Sequence, residues 1–169
     1  MNGVEAMRAS FAGAHNWYNG TVADVSEEQS KSLPPGVVHP IGELAAHILN
    51  TEDAMIAMAR GAAPIWESEG WGAKLGIDAM LMHGGSNEAA RAVKVNVADL
   101  AEYGQKVFAN TDAYLASLTD ADLDREIEVF GNKMKAGDFL GGILLGNTYA
   151  HVGEISALKG LHGAKGYPF

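Results

Sequence analysis

The chain has no cysteine. That removes a disulfide framework, a thiolate zinc site and a cysteine nucleophile together. Positive charge is also scarce: 12 Lys and Arg stand against 21 Asp and Glu, a net charge of -9. Phosphate backbones are held by clustered Lys and Arg, so neither a nucleic-acid groove nor a polybasic membrane patch is expected. No apolar run approaches the roughly 20 residues that span a bilayer. The opening MNGVEAMRASFAGAHNWYNG lacks the basic segment and apolar run of a signal peptide. No serine stands in a nucleophile-elbow context, and no glycine-rich phosphate loop precedes a helix. What remains is an acidic, soluble protein, expected in the cytoplasm. With 47% hydrophobic residues it is not disordered, and its 169 residues fit a single domain over 1–169.

The longest helical period lies near the end, in FLGGILLGNTYAHVGEISALKGLHG, residues 139–163. Leu140, Leu144, Asn147, His151, Ile155 and Leu158 recur at steps of three or four and share one face. Asn147 and His151 interrupt an otherwise apolar stripe. Upstream, Val4 to Val25 reads as a first helix with a seam of Val4, Met7, Phe11, Tyr18 and Val22. His15 lies beside that seam as a partly buried, hydrogen-bonded residue. Pro40 and Gly61 bracket a second helix, Ile41 to Arg60. Leu44, His47, Ile48, Met55 and Met58 point one way along it; Glu43, Glu52 and Asp53 lie nearer the other side. His39, held extended before Pro40, reads as a loop residue.

Gly61 to Asp78 has the composition of a long loop, and its Trp66 and Trp71 allow either a lid or ordinary anchoring. His83 reads as a loop histidine. Asn87 to Leu118, with Ser86 as N-cap, reads as a third long helix. Thr119 caps a short helical turn. In REIEVFGNKMKAGDF the period changes to alternation, and Gly131-Asn132 supplies the turn of a small β-hairpin. The expected fold is therefore all-α: an antiparallel four-helix bundle with a long loop after helix 2 and a small β-hairpin before the last helix.

His47 and His151 both face the core from different helices, which is how bundles build metal sites. Imidazole suits zinc, nickel or iron. A third ligand is expected one turn before His151, and that position is Asn147. The same pattern also fits histidines satisfied inside a core. Glycines 141, 142, 146, 153 and 160 each lower helix propensity by about 1 kcal/mol, which points to close approach of a backbone or a ligand. Glu154 is placed either to support His151 or to face solvent.

HPIGELAAHILNTEDAM, IWESEGWGAKLGI and HVGEISALKGLHGAKGYPF, in this order and spacing, resemble the DinB-like superfamily. That group includes bacterial thiol-dependent transferases and mycothiol-dependent maleylpyruvate isomerases. The resemblance covers nearly the whole chain. It implies a four-helix bundle, often a homodimer, holding a divalent metal by a triad that falls on His47, Asn147 and His151. The third position is usually histidine, or glutamate in the isomerase branch; here it is an amide. The implied activity is metal-assisted addition of a low-molecular-weight thiol to a small electrophilic substrate, with the thiol supplied by a cofactor. The other reading is a non-catalytic bundle that binds a small ligand or serves as a dimeric interaction module.

Overall fold

In the computed structural model the described residues are 1–77, 80, 81 and 87–169. His83 and the proposed cap Ser86 lie outside them. Most of the chain is helical. In order come α1 (Gly3–Val22), α2 (Glu27–Lys31), α3 (Ile41–Arg60), α4 (Ile65–Ser68), α5 (Trp71–Leu75), α6 (Asn87–Ala92), a 3-10 turn (Val97–Leu100), α7 (Ala101–Ala116) and α8 (Asp120–Asp124). Strands β1 (Glu126–Val129) and β2 (Asn132–Lys135) follow, then α9 (Ala136–Asp138), a π-helical turn (Phe139–Leu144) and α10 (Leu145–Leu161).

Local sequence explains the ends of the long helices. Asn2 accepts from the Glu5 backbone N–H and Glu5 reaches back to Asn2, a complete capping box for α1. Gly61, at φ 66°, terminates α3 in the left-handed conformation. The packing is reciprocal: α10 lies against α1 and α3, and α7 lies against the same two helices. Apolar side chains gather in two clusters. One surrounds Leu44, Ile48, Tyr103, Val107 and Ile155. The other, beside the hairpin, surrounds Phe11, Ile56, Leu115, Phe139 and Leu144.

Four expectations need correction. The segment after α3 is not an open loop, because α4 and α5 form within it. Trp66 and Trp71 are buried, with ring centroids 5.6 and 5.4 Å from that of Tyr103, so they anchor the segment and do not form a lid. Such ring pairs each contribute about 0.5–1.5 kcal/mol beyond their burial.

The third helix is broken. Residues 93–96 leave the helix so that Ser30 Oγ can donate to the Val95 carbonyl and accept from the Val97 N–H, at 2.8 and 3.0 Å. Val95 then lies against Gly42, where a methyl group would come within 2.2 Å of its carbonyl oxygen. Long-range packing overrides local propensity here.

Helix α3 is not two-sided. Every position from Ile41 to Ala57 except Ala54 is buried, including Glu43, Glu52 and Asp53, whereas Met58 is exposed. It is enclosed by α2, α4, α7, α10 and the 3-10 turn, which leaves it no solvent face.

The hairpin forms, pairing Glu126 with Lys135 and Val129 with Asn132. Its turn is Phe130-Gly131, both at positive φ, rather than Gly131-Asn132. The glycines of the last helix are only partly explained by packing. A methyl group at Gly153 would lie 3.4 Å from Tyr167 Oη and one at Gly141 would lie 3.6 Å from Met7, while Gly142, Gly146 and Gly160 meet nothing within 4 Å.

Candidate metal centre

The packing of α3 against α10 brings His47, Asn147 and His151 together. The π-helical turn Phe139–Leu144 ends just before Asn147; such turns recur at functional sites. His47 is buried, and Asn147 and His151 are half-buried. The two imidazoles meet edge to face, with centroids 4.7 Å apart and an interplanar angle of 87°.

Each ring has its Nδ1 engaged outside the pair. His47 Nδ1 lies 2.5 Å from the Leu81 carbonyl oxygen. His151 Nδ1 lies 2.7 Å from Glu154 Oε2 while Glu154 is exposed, so both placements foreseen for Glu154 hold. Imidazoles that ligate metals are commonly held in this way, through their other nitrogen, by a carbonyl or a carboxylate. His47 Nε2 lies 3.3 Å from Asn147 Oδ1, and Thr51 Oγ1 is 3.4 Å from the same nitrogen.

Protonation sharpens this arrangement. Burial pulls the His47 pKa down to about 4, with His151 acting in the same direction and the Leu81 and Asn147 contacts opposing. At neutral pH His47 is therefore uncharged and has one N–H. The carbonyl of Leu81 can only accept, so that hydrogen sits on Nδ1. Nε2 then turns a lone pair toward Asn147 Oδ1, itself an acceptor.

Two further groups border the site. Glu43, one turn before His47, is buried, and its Oε2 lies 2.8 Å from His39 Nδ1. Burial pushes the Glu43 carboxyl up to about 7; His39 opposes this and the Glu154 charge adds to it. Neither His39 nor Glu43 was picked out from the sequence. The i, i+4 spacings His39–Glu43 and Glu43–His47 were the available signal. Among the described residues, no group of three or more His, Cys, Asp or Glu is arranged to hold a metal ion. Among the described residues, the candidate set thus depends on the amide of Asn147.

His15 lies away from this set, as expected of a core histidine. Its Nε2 is 2.9 Å from Glu52 Oε1, which also accepts from Thr111 Oγ1 at 2.6 Å. The imidazole stacks on Phe108 with centroids 3.8 Å apart.

A sequence profile described as the DinB superfamily matches residues 11–155, a span that includes all three candidate ligands. The chain belongs to the DinB superfamily. This superfamily includes metal-dependent enzymes. A solved structure described as a conserved protein from Enterococcus faecalis matches this DinB-superfamily chain with a TM-score of 0.79. That match has 19% sequence identity and covers 94% of this chain and 96% of the other. At that identity the likeness concerns the fold. No curated protein matches the chain.

Proposed function

We propose that this DinB-superfamily protein is a divalent-metal-dependent thiol transferase or isomerase, adding a low-molecular-weight thiol to a small electrophilic substrate. The observation that supports the metal is the convergence of His47 Nε2 and Asn147 Oδ1 at 3.3 Å beside the His151 ring. Each atom can present a lone pair, and a cation between them would satisfy both. The spacing fits one: donors bound at about 2.1 Å to a common ion sit about 3.0 to 3.4 Å apart in octahedral or tetrahedral geometry.

His47, Asn147 and His151 would hold the ion, with zinc or nickel favoured over iron by two imidazoles and an amide oxygen. A divalent ion with open positions lowers the pKa of a water or thiol placed there. The chain's own residues do the rest. Glu154 orients His151 and balances charge, Leu81 orients His47, and buried α3 keeps bulk water from one side of the site.

The competing reading is a non-catalytic member with a degenerate site. It has its own observation: turned over, the Asn147 amide would donate its NH2 to His47 Nε2 and satisfy both groups without metal.

The mutual packing of α1, α3, α7 and α10 supports reading them as an antiparallel four-helix bundle in a single domain over 1–169. We further propose a cytoplasmic homodimer, with exposed Leu161 and Phe169 near its contact surface. A monomer at micromolar concentration by light scattering would overturn the dimer.

Elemental analysis of protein purified without a histidine tag tests the function. The expected result is zinc or nickel near one equivalent, lost in His47→Ala, with thiol consumption by the loaded protein lost alongside it. Trace metal unchanged by His47→Ala would reject the proposal.

A further inference from the structure

Three residues after His47, on the same buried face of α3, Asn50 makes two directional contacts. Its Oδ1 accepts from the Leu81 backbone N–H at 2.8 Å. The carbonyl of that same Leu81 faces His47 Nδ1. Asn50 and His47 therefore grip the two polar groups of a single residue. The second contact sets which way the amide points: Asn50 Nδ2 donates to Tyr103 Oη at 3.1 Å.

The direction of that bond is imposed from further along α3. Asp53 is buried, and its carboxylate accepts from the N–H groups of Ile65 and Trp66 at 2.9 and 2.8 Å. It also accepts the one hydroxyl proton of Tyr103, at 2.9 Å. Having donated to Asp53, the Tyr103 oxygen can only accept, so Asn50 must turn its NH2 toward Tyr103. Its carbonyl oxygen is then the end left for Leu81. A polar chain of fixed sense runs from Asp53 through Tyr103, Asn50 and Leu81 to His47.

We propose that Asn50 is a positioning residue: by holding Leu81 it fixes His47 in the Nδ1–H tautomer and reserves the Nε2 lone pair for the site shared with Asn147. Which imidazole nitrogen is left open is set by the hydrogen bond the other one makes, so the fold selects the nitrogen that faces the site. The purpose of the lone pair rests on the metal reading above. The tautomer belongs to the metal-free protein and is measured separately.

Long-range 1H–15N spectra of metal-free protein labelled in its imidazoles, near pH 7, report the tautomer. Wild-type His47 is expected as Nδ1–H. Asn50→Ala shifts it toward Nε2–H and weakens zinc binding about 10- to 100-fold. Thr111→Val, which disrupts a buried bond to Glu52 elsewhere on α3, leaves the His47 tautomer unchanged. Should Asn50→Ala not fold, Leu81→Pro deletes the N–H that Asn50 holds without altering α3, and the same shift is expected.

Nε2–H in the wild type, or Nδ1–H persisting in the folded variant, overturns the proposal. Nδ1–H in a wild type that binds no zinc upholds the positioning role and rejects the metal reading. Zinc binding by a protein whose His47 is Nε2–H when metal-free does the reverse.

Discussion

Helix α3 buries two polar regions, and they are built on opposite logic. Toward its C-terminal half, Glu52 and Asp53 face donors. Asp53 accepts two backbone N–H bonds and a tyrosine hydroxyl; Glu52 accepts from Thr111 and lies against His15. Every donor there meets an acceptor, and the result is a polar clasp that ties α1, α4 and α7 to α3. Nearer the N-terminal end, His47 Nε2 faces an acceptor, Asn147 Oδ1. Burial alone does not separate the regions, since His47, Glu52 and Asp53 are all buried. The sense of each hydrogen bond does. Matched donors and acceptors make structure; the His47–Asn147 pair is where the proposed cation would bind.

Substitutions that break the clasp should act first on stability. Asp53→Ala strands two backbone N–H groups and the Tyr103 hydroxyl in a buried setting. It should cost about 3 kcal/mol in urea unfolding, and by freeing the Tyr103 hydroxyl it should also loosen the chain that orients Asn50 and His47.

The site should instead show itself through protons. The folded-state pKa of His47 is depressed to about 4, against 6.5 in the unfolded chain. The unfolded state therefore binds more protons below pH 6.5, and stability falls as pH drops from 6.5 toward 4. His47→Gln should remove the His47 contribution, at most about 3 kcal/mol between pH 7 and pH 4 in denaturation curves, and uncover the opposing slope from Glu43.

Asn147→His would convert the amide into a third imidazole. It should tighten zinc about tenfold or more, a gain of about 1.4 kcal/mol by competition with a chelating dye. Unchanged affinity would place the ion away from Asn147.

An effect of similar size is expected at Glu43. Its folded pKa is raised to about 7 from 4.5, so the folded state binds the extra proton and stability declines as pH rises from 4.5 through 7. Glu43→Gln should remove that decline and gain about 1–2 kcal/mol at pH 8 relative to pH 5. Between pH 4.5 and 6.5 the Glu43 and His47 contributions oppose each other. The wild-type profile should be flatter there than either variant.

These two regions were unequally legible in the sequence. The i, i+4 step from Asn147 to His151, on the stripe shared with Leu144 and Ile155, exposed half of the site before any fold was known. His47 followed from the apolar neighbours Leu44 and Ile48. Glu43, Glu52 and Asp53 were misplaced because a helix with charges on one flank looks two-sided. It takes His39, His15, Thr111 and Tyr103, three of them far away in sequence, to give each carboxylate a buried partner. The interruption of the third helix depended likewise on Ser30 and Gly42. Asn96, whose side chain accepts from Ala98 N–H, was the local cue for its restart. The hairpin was visible in its alternation, but its turn moved one residue, with Phe130 taking a positive φ. Trp66 and Trp71 gave no local sign that Tyr103 would receive them.

Calorimetric titration of zinc or nickel into metal-free wild type and His47→Ala tests the central claim most directly. The account predicts one equivalent bound by the wild type and a loss of at least 100-fold in affinity in the variant, about 2.7 kcal/mol. Equal binding by both proteins, or none by the wild type, would contradict it.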